Sequence, residues 1–429
     1  MNEQAKLKKA TYHLYTFLVS KMIGSLGSHV YSFGISMYIL SLTGSSLSFA
    51  INIILSYLPR TIMAPIAGIL GDRMSRKKLV LGGQAGVILT VAGLLMYTHE
   101  FGLSLAAIYT ATMFNSIFST FTSVAFSASI ANLVDETRIQ KAMSFNQLSL
   151  SVSGIGGPIF GGMLFGFVSM EVFLMIFIIA AMITLTLEAT MNFQLYKRQQ
   201  AMTGSEKETM VESFKAGFCY VNKKPVIKAI LWTALWLNLF FTSVNVGGGY
   251  ILLTLLQIDP QLIGFIEAGG AVGILITSIY FASRSTVKFP LLLVKRSTFL
   301  MGILVIFVGV PLLFQFSSTM MIFIFYFIVM LIFGALGVIT NTPIGVIMQT
   351  TIDEQYRGRV FGIVEMMAMS AMPIGTLTYG FLYEIIPAQY ILFVSGLILI
   401  FIVLLLLRTS IIEMAHPELK KTEVTPVTE

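Results

Sequence analysis

Charge is scarce in this sequence. Only 11% of its 429 residues are Asp, Glu, Lys or Arg, against about a quarter in soluble domains. With 56% hydrophobic residues and a mean hydropathy of +0.86, a water-soluble globule is excluded. Cysteine is nearly absent, and the single Cys219 rules out an internal disulfide and any cysteine-built metal site. The four histidines, His13, His29, His99 and His416, are scattered without an acid at catalytic spacing, so nothing indicates an enzyme and no cofactor is expected. An ATP-driven pump is not indicated either, because no Gly-x-x-x-x-Gly-Lys-Ser/Thr loop occurs.

What the chain has in abundance is long apolar runs. A hydrocarbon core takes about 20 apolar residues per helix, and twelve spans are read at about 14–40, 46–70, 79–97, 103–132, 142–168, 171–191, 229–256, 261–282, 297–316, 319–349, 358–384 and 389–408. Helices are expected because the runs do not alternate as barrel strands do. Every second connection carries Lys or Arg. The alternate ones, Ser41–Ser46, Thr98–Leu103, Val168–Glu171, Gln257–Gln261, Phe316–Thr319 and Glu384–Gln389, carry none. Chance would place about six of the 27 cations there, so the asymmetry predicts both the span count and cytoplasmic termini. The net charge of +7 then belongs to topology and anionic headgroups, not to nucleic acid.

The expected organisation is a six-helix half over 1–191, a cytoplasmic linker over 192–228, a second six-helix half over 229–408 and a cytoplasmic tail over 409–429. In the linker, Met210, Val211, Phe214, Phe218 and Val221 recur at helical spacing, as in a helix lying on the inner membrane surface. Asp135-Glu136 and Asp353-Glu354 hold the same place in each half, between its fourth and fifth helices. Paired halves of this kind are a transporter arrangement, with a substrate site between them near the midplane.

Gly68-Ile-Leu-Gly-Asp-Arg-Met-Ser-Arg-Lys-Lys78, between the second and third spans, resembles the signature loop of the major facilitator superfamily. Gly68, Gly71, Asp72, Arg73, Arg76 and Lys77 match that pattern. Gly154, Gly157, Pro158, Gly161 and Gly162 in the fifth span resemble the antiporter motif of the superfamily's exporters. Physically, those glycines permit close helix packing and Pro158 removes a helix hydrogen bond. Leu58-Pro59 and Asp353-Glu354 before Arg357-Gly358-Arg359-Val360 are similar to the macrolide-efflux branch. The resemblance implies an all-α membrane protein of twelve helices, in a cell membrane and acting as a monomer. It implies export of amphipathic compounds by alternating access, in exchange for protons. A lipid or lysophospholipid flippase and a small-nutrient transporter are the alternatives, ahead of a non-transporting sensor or scaffold. Asn115 stands where many proton-coupled drug exporters carry an arginine, and the first helix lacks the embedded acid of some others.

A charge at the bilayer centre costs about 2.5–3.5 kcal/mol on insertion scales, so each one retained there needs a reason. Glu267, Glu365, His29 and Arg60 are the candidate proton-coupling groups. Arg60 and Glu365 fit either a pair or two separate water-facing sites. Glu188 and Lys21, closer to the cytoplasmic end, are read as snorkelling. By resemblance the first, fourth, seventh and tenth helices line a substrate cavity, offering Tyr31, Asn115, Phe118, Trp236, Asn238, Asn245 and Asn341. Aromatics and uncharged amides suit an amphipathic ligand. Trp232 and Trp236 fit either that cavity or an interfacial belt.

The cation asymmetry makes topology directly testable. In a Cys219→Ser background, Thr43→Cys and Asp259→Cys react with an impermeant thiol reagent in intact cells, whereas Ser75→Cys does not; labelling at residue 75 would overturn the topology.

Overall fold

The computed structural model describes residues 3–196, 218–282, 287–314, 318–416 and 418, and no strand occurs among them. The linker residues Met210, Val211 and Phe214 lie outside the described residues. Of the rest of that apolar face, Val221 is buried and Phe218 exposed. The long helices are α1 (Glu3–Thr43), α2 (Ser46–Arg73), α3 (Arg76–Phe101), α4 (Leu105–Leu133), α5 (Glu136–Phe167) and α6 (Met170–Thr190). They continue with α7 (Pro225–Gly249), α8 (Pro260–Ala282), α9 (Pro290–Val308), α10 (Thr319–Thr351), α11 (Glu354–Ile385) and α12 (Ala388–Leu406). A short α13 (Thr409–Ala415) follows. Among the described residues nine helices are long and apolar enough to cross a membrane; α1, α4 and α11 are not in that set.

Several helices run past the apolar spans read from sequence. A helix carries its own backbone hydrogen bonds into the polar interface, so α1 extends back through Lys6, Lys8 and Lys9 to Glu3. Their ends are satisfied locally. Ser45, Ser104 and Ser169 each accept a backbone N–H from the first turn of α2, α4 and α6, in connections that lack cations. Gly44 and Gly102 adopt left-handed backbone at φ of 61° and 75°, which lets the chain reverse within a few residues. At the other rim Asp135 and Asp353 occupy the N-cap positions of α5 and α11, where a carboxylate suits the helix dipole.

Two compact units result, Met1–Ala201 with Leu252–Ala268, and Met202–Ile251 with Gly269–Glu429. In the first, α1 packs on α5 and α6, and α3 on α4 and α6. In the second, α7 packs on α11 and α12, and α9 on α10 and α12. The pairings repeat with an offset of six helices, which gives the internal echo of the sequence a structural counterpart. A proline break is repaired in the second unit: α9 stops at Val308 ahead of Pro311, and the buried Tyr326 hydroxyl donates to the Val308 carbonyl at 2.8 Å.

Glycine sets how closely helices approach. In the second unit a Cβ on Gly334 would collide with the Gly270 carbonyl, and one on Gly273 with the Leu331 carbonyl, so α8 and α10 touch backbone to backbone. Gly337, one turn on, has open space beside it. Gly334→Ala is therefore expected to lower stability by about 1–3 kcal/mol through overpacking, while Gly337→Ala is neutral or slightly stabilising. Fluorescence-detected melting of the two purified variants distinguishes them.

Candidate functional site

Along four helices of the first unit, apolar and polar residues alternate in blocks. One apolar cluster contains Leu14 and Phe17 of α1, Val80 of α3, Ile130 of α4 and, just past α6, Met191. A second contains Ile35 and Ile39 of α1, Val91 of α3, Ile108 of α4 and Phe173 of α6. Between them lies a polar layer around a cavity of about 200 Å³. On α1 this layer runs from Ser20 to His29, about 14 Å at 1.5 Å per residue.

The cavity gathers most of the ionisable groups of the first unit's spans. Lys21 and His29 come from α1, Arg60 from α2 and Glu188 from α6, while Gln84 of α3 and Asn115, Ser119 and Thr122 of α4 add uncharged polar surface. Glu188 is 3% exposed. That removes the snorkelling expected for it: α6 turns this face toward α1, where the Ser20 hydroxyl donates to Glu188 Oε1 at 3.3 Å. Its second oxygen, Oε2, is buried without a partner among the described residues, as is Asn115 Oδ1. Lys21 lies within electrostatic reach of both Glu188 and Arg60, yet it forms no ion pair among the described residues. His29 Nδ1 meets the Ser25 carbonyl of its own helix at 2.8 Å.

Of the residues assigned to proton coupling, the structure thus collects Arg60 and His29 in this cavity. Glu267 sits elsewhere, exposed on α8, and the Glu365 side chain on α11 lies outside the described residues. Among the expected substrate contacts Asn115 lines the cavity. Tyr31 does not: it is 3% exposed in the apolar core, its ring 4.5 Å from that of Phe177. The Phe118 ring fills the space beside Gly86, while its carbonyl and the Thr122 hydroxyl face Gly83. In the second unit Trp236 packs on Phe240 with centroids 6.0 Å apart, and Asn238 donates to the Ala234 carbonyl at 2.8 Å. Asn245 and Asn341 are exposed.

The antiporter-type glycines work mainly as spacers. A Cβ on Gly157 would run into His29, and one on Gly161 would press on Phe33 and the Val30 carbonyl, so both seat α5 on α1. Gly162 lies against the Pro260 carbonyl, and Gly264 against that of Pro158. A Cβ on Gly154 would meet nothing within 4 Å among the described residues; its carbonyl is the one Pro158, four residues on, cannot bond.

At the signature loop, the surroundings of Gly68 and Gly71 and the side chains of Asp72 and Arg73 lie outside what the structure describes. Lys77 Nζ donates to the Ala189 carbonyl at 2.7 Å, pinning the start of α3 to the end of α6 beside Glu188. Arg76 stands 3.1 Å from the Asn132 amide oxygen, with that amide turned to satisfy both Arg76 and the Tyr196 carbonyl. Sequence reasoning missed two histidines nearby and in the second unit. His13 Nε2 accepts the Asn192 N–H at 3.3 Å, and His416 Nε2 accepts the Leu291 N–H at 3.2 Å. A ring nitrogen that accepts must be unprotonated. Burial, reinforced by Lys9 and Lys77, lowers the pKa of His13; burial also lowers that of His416.

Residues 5–427 match the model of a family described as transmembrane secretion effector. The uncharacterized MFS-type transporter YfiS of Bacillus subtilis is 28% identical over 400 residues, covering 92% of either chain. Macrolide efflux protein A of Streptococcus pyogenes is 24% identical, over 81% of this chain and 83% of that one. Among solved structures, a bacterial homologue of the iron transporter ferroportin in its inward-facing state shares the fold at a TM-score of 0.66 and 15% identity, covering 92% of this chain and 98% of that one.

The two acceptor histidines give a pH dependence of stability. Because their pKa values in the fold lie below the unfolded value, their contribution is complete above about pH 6.5 and is lost as pH falls further. Melting temperature should therefore drop between about pH 7 and pH 5, and the drop should be shallower in His13→Gln. An unchanged slope in that variant would exclude His13.

Proposed function

The chain belongs to the transmembrane secretion effector family of major facilitator transporters, and on that premise we propose that it exports hydrophobic or amphipathic compounds by alternating access, in exchange for protons. The observation that carries the reading is its similarity over most of its length to macrolide efflux protein A. In this reading all twelve long helices span a cell membrane, both termini are cytoplasmic, and the protein works as a monomer. The substrate is a small amphipathic molecule. Asn115, Phe118, Trp236, Asn238, Asn245 and Asn341 are the contacts proposed for it, while Glu267, Glu365, His29 and Arg60 are the ionisable groups available for coupling.

Asp72 has a conformational role in this scheme, because its loop joins α2 and α3 at the rim of the membrane. Expression in a susceptible Gram-positive host should raise resistance to macrolides. In proteoliposomes, Asp72→Asn should slow flux by about tenfold while leaving ligand affinity within about threefold, the pattern of a defect in a conformational step. Lipid scrambling without flux of any amphipathic compound would replace the export reading with that of a flippase.

A further inference from the structure

We infer that Glu188, in the cluster it forms with Lys21 and Arg60, is the group in the first unit that takes up and releases the exchanged proton. The inference rests on the proton-exchange reading above and names a carboxylate outside its four candidates. Glu188 is held in a state that suits neither charge form completely. As a carboxylate it is 3% exposed, with one 3.3 Å bond from Ser20 and no partner for Oε2 among the described residues, an arrangement in which a buried charge has little compensation. As a carboxylic acid it carries no charge to compensate, but an Oε2–H would then lack an acceptor among the described residues. Lys21 is the alternative partner: it shares the cavity and lies within electrostatic reach, but stands outside ion-pair distance. Rotation of one flexible lysine side chain would exchange a neutral, unbridged Glu188 for an ionised, bridged one. Binding a proton and bridging α1 to α6 are then mutually exclusive, which is the property a coupling group needs.

The other groups facing Glu188 are few. From α1 come Lys21 and His29, from α2 Arg60, and from α3 Gln84 and, beyond the cavity, Lys77, whose ammonium is engaged by the Ala189 carbonyl. α4 presents Asn115, Ser119, Thr122 and Ser123, and α5 presents Leu150, none of them ionisable. Glu188 is the sole acid among the described residues lining this cavity. The step itself is carboxylate plus proton to carboxylic acid and back, with no other bond made or broken.

Two measurements test it, one needing no substrate. Infrared difference spectra of the purified, reconstituted protein between high and low pH should contain, among the C=O stretches of protonated carboxylic acids, one component that is lost in Glu188→Gln, retained in Glu267→Gln, and displaced in pH in Lys21→Gln. Carboxylic bands identical to the wild type in Glu188→Gln overturn the assignment; should that variant fail to fold, bands undisplaced in pH in Lys21→Gln overturn it equally. In proteoliposomes carrying a trapped pH dye, ethidium uptake driven by a pH gradient should fall at least about tenfold in Glu188→Gln, with gradient-free ethidium exchange kept within about threefold. Undiminished gradient-driven uptake in Glu188→Gln refutes the coupling role. If the wild type moves no amphipathic compound, the export reading fails, and the infrared band alone decides whether Glu188 titrates.

Discussion

The constraint on which the rest of this molecule depends is that hydrocarbon neither solvates charge nor hydrogen-bonds a backbone. Helix is the default answer to the second demand, and the first removes charge from the spans and leaves it at the connections. Where the pattern is interrupted, a partner has to be built. Tyr326 supplies a hydroxyl to the carbonyl freed at the break in α9, and Lys77 covers a carbonyl at the end of α6. His13 and His416 take up backbone N–H groups that no helix turn could satisfy.

The same constraint gives the cavity of the first unit its meaning. Two cationic side chains, a carboxyl group and an imidazole are assembled between two dry clusters, and two buried acceptor atoms there have no donor among the described residues. Ionisable groups kept inside a membrane-embedded layer usually face a cavity or a partner and mark a substrate or proton pathway, and Lys21, His29, Arg60 and Glu188 all line this cavity.

Much of the architecture could be read from the sequence, because hydropathy and loop charge report directly on the bilayer. The apolar cores of the helices were legible for that reason. Helix ends were less so: α1 begins at Glu3 and α5 at Glu136, ahead of their apolar runs, because peptide hydrogen bonding continues where hydropathy has already fallen. Direction around a helix was the larger blind spot. Glu188 near the end of α6 looks the same in sequence whether it reaches outward to headgroups or inward to Ser20, and only packing separates the two. Tyr31 and Asn115 are likewise both polar residues inside spans, one packed in the core against Phe177 and the other on a cavity wall. Acceptance of a backbone N–H by His13 depends on a contact 179 residues away, which no local pattern encodes.

The glycine seam between α1 and α5 also has a mechanical consequence. Where Gly157 rests on His29 and Gly161 on Phe33, little side-chain material lies between the two rods to act as a cushion. Packed interiors transmit displacement instead of absorbing it. This pair is therefore expected to be among the least compliant parts of the first unit, so that a push at one end of α5 arrives at the level of His29 with little loss.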